Sequence, residues 1–200
     1  MFRSKNRLLT AALAYATAGI PVVPPTRAVR SPGGGWACSC GSACLAPAAH
    51  PEVKAEWTRD PDAIRAIWTA NEPPNICITS GEAVALWRVP LTTGAYAMRL
   101  FEHQRPAVWP PMLKQVDGDW IIATAAPTID AQVFDLPHGV SYLRPAEPVL
   151  APPSILPDSW RRLSWRECPA FPTMAPPATE PVLAILQIVD RELRVTPQHY

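Results

Sequence analysis

TRDPDAIRAIWTANEPPNICITSG, residues 58–81, holds a helix signal and a strand signal in immediate succession. Asp60 followed by Pro61 reads as a helix start. A short acidic side chain can accept from the free N–H groups of the first turn, and proline has no N–H to lose at the first helical position. Ile64, Ile67 and Trp68 then recur at helical spacing as one apolar face. Asn71-Glu72-Pro73-Pro74 stops the helix, because a residue before proline is pushed out of the α region. Asn75 to Ser80 reads as a strand and Gly81-Glu82 as a tight turn.

The same two periodicities extend in both directions. Upstream, residues 6–19 read as an amphipathic helix with Leu8, Leu9, Ala12, Tyr15 and Ala16 on one face, and residues 20–25 as a short strand. Residues 26–58 read as a loop-rich insertion that carries Gly33-Gly34-Gly35 and a cysteine cluster. Downstream, Ala83 to Val89 is a strand, and Thr92 to Gln104 a helix with Tyr96, Leu100 and Phe101 inward. Val108 to Val116 and Trp120 to Thr124 flank Asp117-Gly118-Asp119, a hairpin signal. Short strands are expected near Val133-Phe134, Val140 to Leu143 and Val149-Leu150. A proline-rich linker covers residues 166–180, and a last amphipathic helix begins at Pro181, in a C-terminal segment 181–200. Helices alternating with strands, then strands reading as antiparallel, predict an α/β or α+β fold.

Composition narrows the function classes. A 200-residue chain that is 48% hydrophobic can bury a sizeable core. A net charge of +1 argues against a strongly basic nucleic-acid glove, though not against a local basic groove. The 26 prolines imply short elements joined by stiff loops. Arg3, Lys5 and Arg7 before an Ala-rich apolar run resemble a secretory signal. The helix reading accounts for the same residues, so a cytoplasmic protein is expected. No apolar run reaches the eighteen or so residues of a membrane span, and no membrane association is expected.

Cys38, Cys40, Cys44 and His50 are spaced C-x-C-x3-C-x5-H, in a zinc loop of about residues 36–51. Zinc prefers four tetrahedral thiolate and imidazole ligands, and a closed set of four is usually structural. The C-x-C step is tighter than the common spacing. Disulfides are an alternative, although five cysteines leave one unpaired. Ordinary free thiols are another. Cys77 reads as a small buried hydrophobe in a core strand and as the reserve fourth ligand if His50 is not used.

The order of these parts carries a resemblance. AYATAGIPVVPP comes first, then the cysteine loop ending in His50-Pro51, then the stretch 58–81, and finally VLAPPS before a tryptophan-containing segment. This order resembles the bifunctional DNA primase/polymerase N-terminal (prim-pol) domain of the archaeo-eukaryotic primase group, over about residues 6–165. The resemblance implies a prim-pol-like mixed sheet with flanking helices and a zinc-binding loop, and nucleotidyl transfer by a D-x-D carboxylate pair holding divalent ions. Here that pair falls on Trp87 and Val89 of ALWRVP, neither of which offers an oxygen ligand to magnesium. The histidine expected around Trp120 to Ala125 is also missing, and Asp135 fits the third acidic position poorly.

The expectation is therefore a degenerate member with no catalytic residues. It would carry structural zinc rather than magnesium or manganese, and bind single-stranded nucleic acid or a replication or regulatory protein. Trp160, Arg161, Arg162 and Arg166, with Trp165, form the best basic–aromatic cluster for such contact, although clusters of this kind are usually solvated surface. The competing expectation is an active primase/polymerase whose carboxylates have moved, to Asp117, Asp119 or Asp135. Asp117 and Asp119 have a plainer use as turn residues beside Gly118.

Overall fold

The structure is a computed structural model. It describes residues 2–31, 33–34, 36–40, 50–51, 55–69, 74–104, 109–115, 118–128, 134–155, 161–166, 168 and 170–195. Among these are four helices and nine strands, an α+β content as expected, and every strand pairing is antiparallel. The chain divides into two compact units. Residues 1–81 with 145–164 form the first, and residues 82–144 with 165–200 the second.

In the first unit, helix α1 (Phe2–Thr17) precedes strand β1 (Val22–Val23). Leu8, Ala12 and Tyr15 bury the α1 face, and the Tyr15 hydroxyl donates to the Pro152 carbonyl at 3.0 Å. Strands β2 (Ala28–Arg30) and β3 (Trp36–Cys38) follow as a two-stranded ribbon. Gly34, at φ +91°, supplies the left-handed residue of its turn. Helix α2 (Pro61–Trp68) starts as the sequence predicts, with the Asp60 side chain accepting from the Asp62 N–H at 2.9 Å. Ile64 and Trp68 are buried, and the Trp68 indole donates to the Pro74 carbonyl.

Strand β4 (Ile76–Ile78) lies between β1 and β9 (Val149–Ala151). Side chains reinforce that pairing across nearly eighty residues of sequence. The Asn75 amide donates to the Ile155 carbonyl and accepts from the Ile155 N–H, both at 2.9 Å. The Ser154 hydroxyl accepts from the Ile76 N–H at 2.9 Å and donates to its carbonyl at 3.3 Å. Asn75 of the NICITSG stretch and Ser154 of VLAPPS are thus a structural clasp.

The second unit is a four-stranded sheet in the order β6 (Met112–Lys114), β7 (Trp120–Thr124), β5 (Ala85–Val89), β8 (Ser141–Leu143). Helices α3 (Leu91–Gln104) and α4 (Thr179–Val195) pack against each other. The β6–β7 hairpin forms where Asp117-Gly118-Asp119 predicts it, with Gly118 at φ +96°. Phe134 lies in a bend, outside any strand, and Val133 lies outside the described residues. Ala97 and Phe101 of α3 and Val182, Leu183, Leu186 and Val189 of α4 join the sheet residues in one apolar core.

Candidate metal centre

Cys38 closes β3, opposite Ala28 of β2. The ribbon continues past its last ladder pair, because Ser39 donates its N–H to the Arg27 carbonyl at 2.8 Å while its hydroxyl accepts from the Arg27 N–H at 2.8 Å. Cys40 follows in the turn. His50 returns to the same place through its backbone. Its carbonyl accepts from the Thr26 N–H at 2.7 Å, and Pro51 bridges Pro25. Two pieces of chain, the end of the ribbon and the His50-Pro51 return, therefore deliver three donors to one point.

The ligand atoms of Cys38, Cys40 and His50 all lie within 4.8 Å of one another. Cys38 Sγ and His50 Nε2 are 3.2 Å apart. Zinc with bonds of about 2.0–2.3 Å has ligand–ligand edges of roughly 3.3–3.8 Å by tetrahedral geometry, so this pair needs little adjustment. The other ring nitrogen of His50, Nδ1, is 3.0 Å from the Pro51 carbonyl, so a proton on Nδ1 leaves Nε2 as the lone-pair donor. Partial burial pulls the His50 pKa down, but the Pro51 carbonyl and the neighbouring Cys38 outweigh it and leave it raised. Two sulfurs and an imidazole are a soft donor set that can hold a metal ion such as zinc.

Of the four ligands expected from sequence, Cys44 lies outside the described residues, and the other three are brought together. Cys77 stands apart from this group. It is wholly buried in β4, paired with Val23 on one side and Leu150 on the other, and burial pushes its thiol up to about 12. A neutral thiol held that firmly is core packing. No disulfide joins any two of the four described cysteines.

Sequence reasoning missed Thr26. Its hydroxyl lies 3.1 Å from Cys38 Sγ and 3.2 Å from the His50 carbonyl, linking two of the donors from behind. The signal that points to it is the ribbon itself. AVR and WAC flank SPGGG as two short β-compatible runs around a glycine-rich turn, which is a hairpin pattern.

The second unit holds the positions where the resemblance expects carboxylates. Trp87 and Val89 are both fully buried in β5, an inner strand of the sheet. The Trp87 ring packs edge-on to Phe134 at 6.1 Å and tilted against Tyr142 at 5.3 Å. Its indole N–H donates to the Thr124 hydroxyl at 2.9 Å, and that hydroxyl lies 2.7 Å from the hydroxyl of Thr179, the first residue of α4. The ring and its polar handle are both satisfied inside the core.

The displaced carboxylates fare no better. Asp135 is exposed and Asp119 half-buried. Among the described residues neither belongs to a group of three or more metal-capable donors, and Asp117 lies outside them. In the basic–aromatic cluster, Arg161 and Arg162 are exposed, and Trp160 lies outside the described residues. Arg166 is exposed with its guanidinium 5.8 Å from the centre of the Trp120 ring. Trp165 is buried edge-on to Phe171 at 5.1 Å, so its faces are not a free stacking platform.

Fold and site together define an α+β chain with a cysteine–histidine cluster able to hold a metal. Compared with known protein families, curated proteins and solved structures, the chain matches none. No helix among the described residues is long and apolar enough to cross a membrane.

Proposed function

We propose that this chain is a non-catalytic, prim-pol-like binding protein of the cytoplasm, whose cysteine loop is clamped by structural zinc on Cys38, Cys40, Cys44 and His50. The observation that carries the non-catalytic half is the burial of Trp87 and Val89. Nucleotidyl transfer needs oxygen ligands for divalent ions at an open site. Here an indole and an isopropyl group fill the two positions, both at 0% exposure, inside a sheet core. The exposed Arg161 and Arg162 support contact with single-stranded nucleic acid through its phosphates.

Primer extension tests the non-catalytic half. Purified chain with template, primer, nucleotides and magnesium or manganese is expected to give no product. Template-dependent product lost on substituting Asp119 or Asp135 would overturn the proposal and favour displaced carboxylates. Titration of a fluorescent single-stranded oligonucleotide tests the binding half. Arg161→Ala with Arg162→Ala is expected to weaken binding across sequences and flatten its salt dependence. Unchanged binding would remove those arginines from the interface.

A further inference from the structure

We infer that Cys38 and Cys40 form a reversible dithiol–disulfide pair, so that oxidation by a peroxide ejects the metal from the loop. The inference rests on the metal reading of the site. Its own basis is the placement of the two sulfurs. Cys38 ends β3 and Cys40 follows two residues on, in the turn, so the short C-x-C step keeps both thiols at the same end of the ribbon. Their sulfurs lie within 4.8 Å, with no other residue needed to bring them together.

The two thiols are unequal in access. Cys38 is 4% exposed and backed by Thr26 and His50, whereas Cys40 is only half-buried in the turn. A peroxide therefore meets Cys40 first. Its thiolate attacks the O–O bond, forming sulfenic acid and releasing hydroxide. Cys38 sulfur then attacks the Cys40 sulfur, the S–O bond breaks, and a second hydroxide leaves. Two thiolates and one hydrogen peroxide thus give one disulfide and two hydroxides, with two electrons passing from sulfur to the peroxide. A disulfide sulfur is a poor metal ligand, so the ion loses two of its donors. So small a ring is strained, and strained disulfides are the readily reduced ones, which makes the step reversible by a dithiol.

The test uses the full zinc-loaded chain exposed to hydrogen peroxide. A chromophoric chelator follows zinc release, while intact mass and peptide mapping of trapped thiols follow the sulfur chemistry. The expected result is about one zinc released per Cys38–Cys40 disulfide formed, with zinc binding restored by dithiothreitol. Zinc retained after peroxide treatment, a disulfide to Cys44 instead, or release only with irreversible sulfinic acid would each overturn the inference. The crosslinking arm is repeated on chelator-stripped chain, where a Cys38–Cys40 disulfide is again expected and its absence counts against the pair. A chain that never takes up zinc defeats the metal reading itself. A chain that takes it up and keeps it under peroxide defeats only the switch.

Discussion

Thr26 has neither charge nor thiol, yet it stands behind the cluster with its hydroxyl near both Cys38 Sγ and the His50 carbonyl. Partners of this kind orient ligands, and their loss commonly lowers metal affinity about 10–100-fold. Thr26→Val keeps the shape and removes the hydroxyl. It is expected to weaken zinc affinity by about that factor, measured by competition with a chromophoric chelator, while the metal-free chain changes little in stability. Cys77 is the opposite case, a thiol removed from metal chemistry by burial. Its pKa is raised from 9.0 to about 12, so the folded state keeps its proton after the unfolded chain has lost it. The associated stability is fully present below about pH 9 and is lost as pH rises towards 12, at up to ~1.4 kcal/mol per pH unit. Urea unfolding of the parent and of Cys77→Ala should therefore show the parent's advantage shrinking above pH 9. An advantage that stays constant to pH 11 would contradict a buried neutral thiol.

Two elements have stability set by single residues that the sequence advertises unequally. Helix α2 has its cap written in the sequence, and Asp60 does what Asp-Pro-Asp promises. Asp60→Ala is expected to cost about 1 kcal/mol, within the usual range for losing a helix cap, by chemical denaturation. Helix α3 carries Gly94, which from propensity alone is a weakness. Its reason is tertiary: a Cβ there would sit 2.6 Å from Cγ and 2.9 Å from Cβ of Trp120 on β7. Gly94→Ala gains helix propensity but forces the indole away, and a net loss of about 1–3 kcal/mol is expected from overpacking. A stabilised Gly94→Ala protein would show that the ring moves freely. The contrast explains what was legible. Caps, apolar faces and the Asp-Gly-Asp turn are local codes, so α2, α4 and the β6–β7 hairpin follow from short stretches. The clasp of Asn75 and Ser154 joins residues nearly eighty apart, and no local pattern announces which backbone groups they will hold.

At the scale of the whole molecule, chemistry and architecture are separable. The first unit contains the metal donors, and their convergence was legible because thiols and imidazole at short spacing have few other uses. Thr26 and the ribbon were not, since they matter only once the chain has doubled back. The second unit contains Trp87, a ring buried in an inner strand whose partners do not read from the sequence at all. Phe134, Tyr142, Thr124 and Thr179 lie far from it in sequence. Trp87→Ala is expected to cost about 3–5 kcal/mol, as for large buried aromatics, enough to be seen as a much lower melting temperature. A small change there would mean that the site is not closed.

The clamp itself is tested most directly by metal content. Chain purified without chelator should carry about one zinc, melt at a lower temperature once the zinc is stripped, and recover on its return. Cys38→Ser should carry far less zinc and melt like the stripped parent. A metal-free chain as stable as the zinc-treated one, with Cys38→Ser indistinguishable from it, would contradict the account.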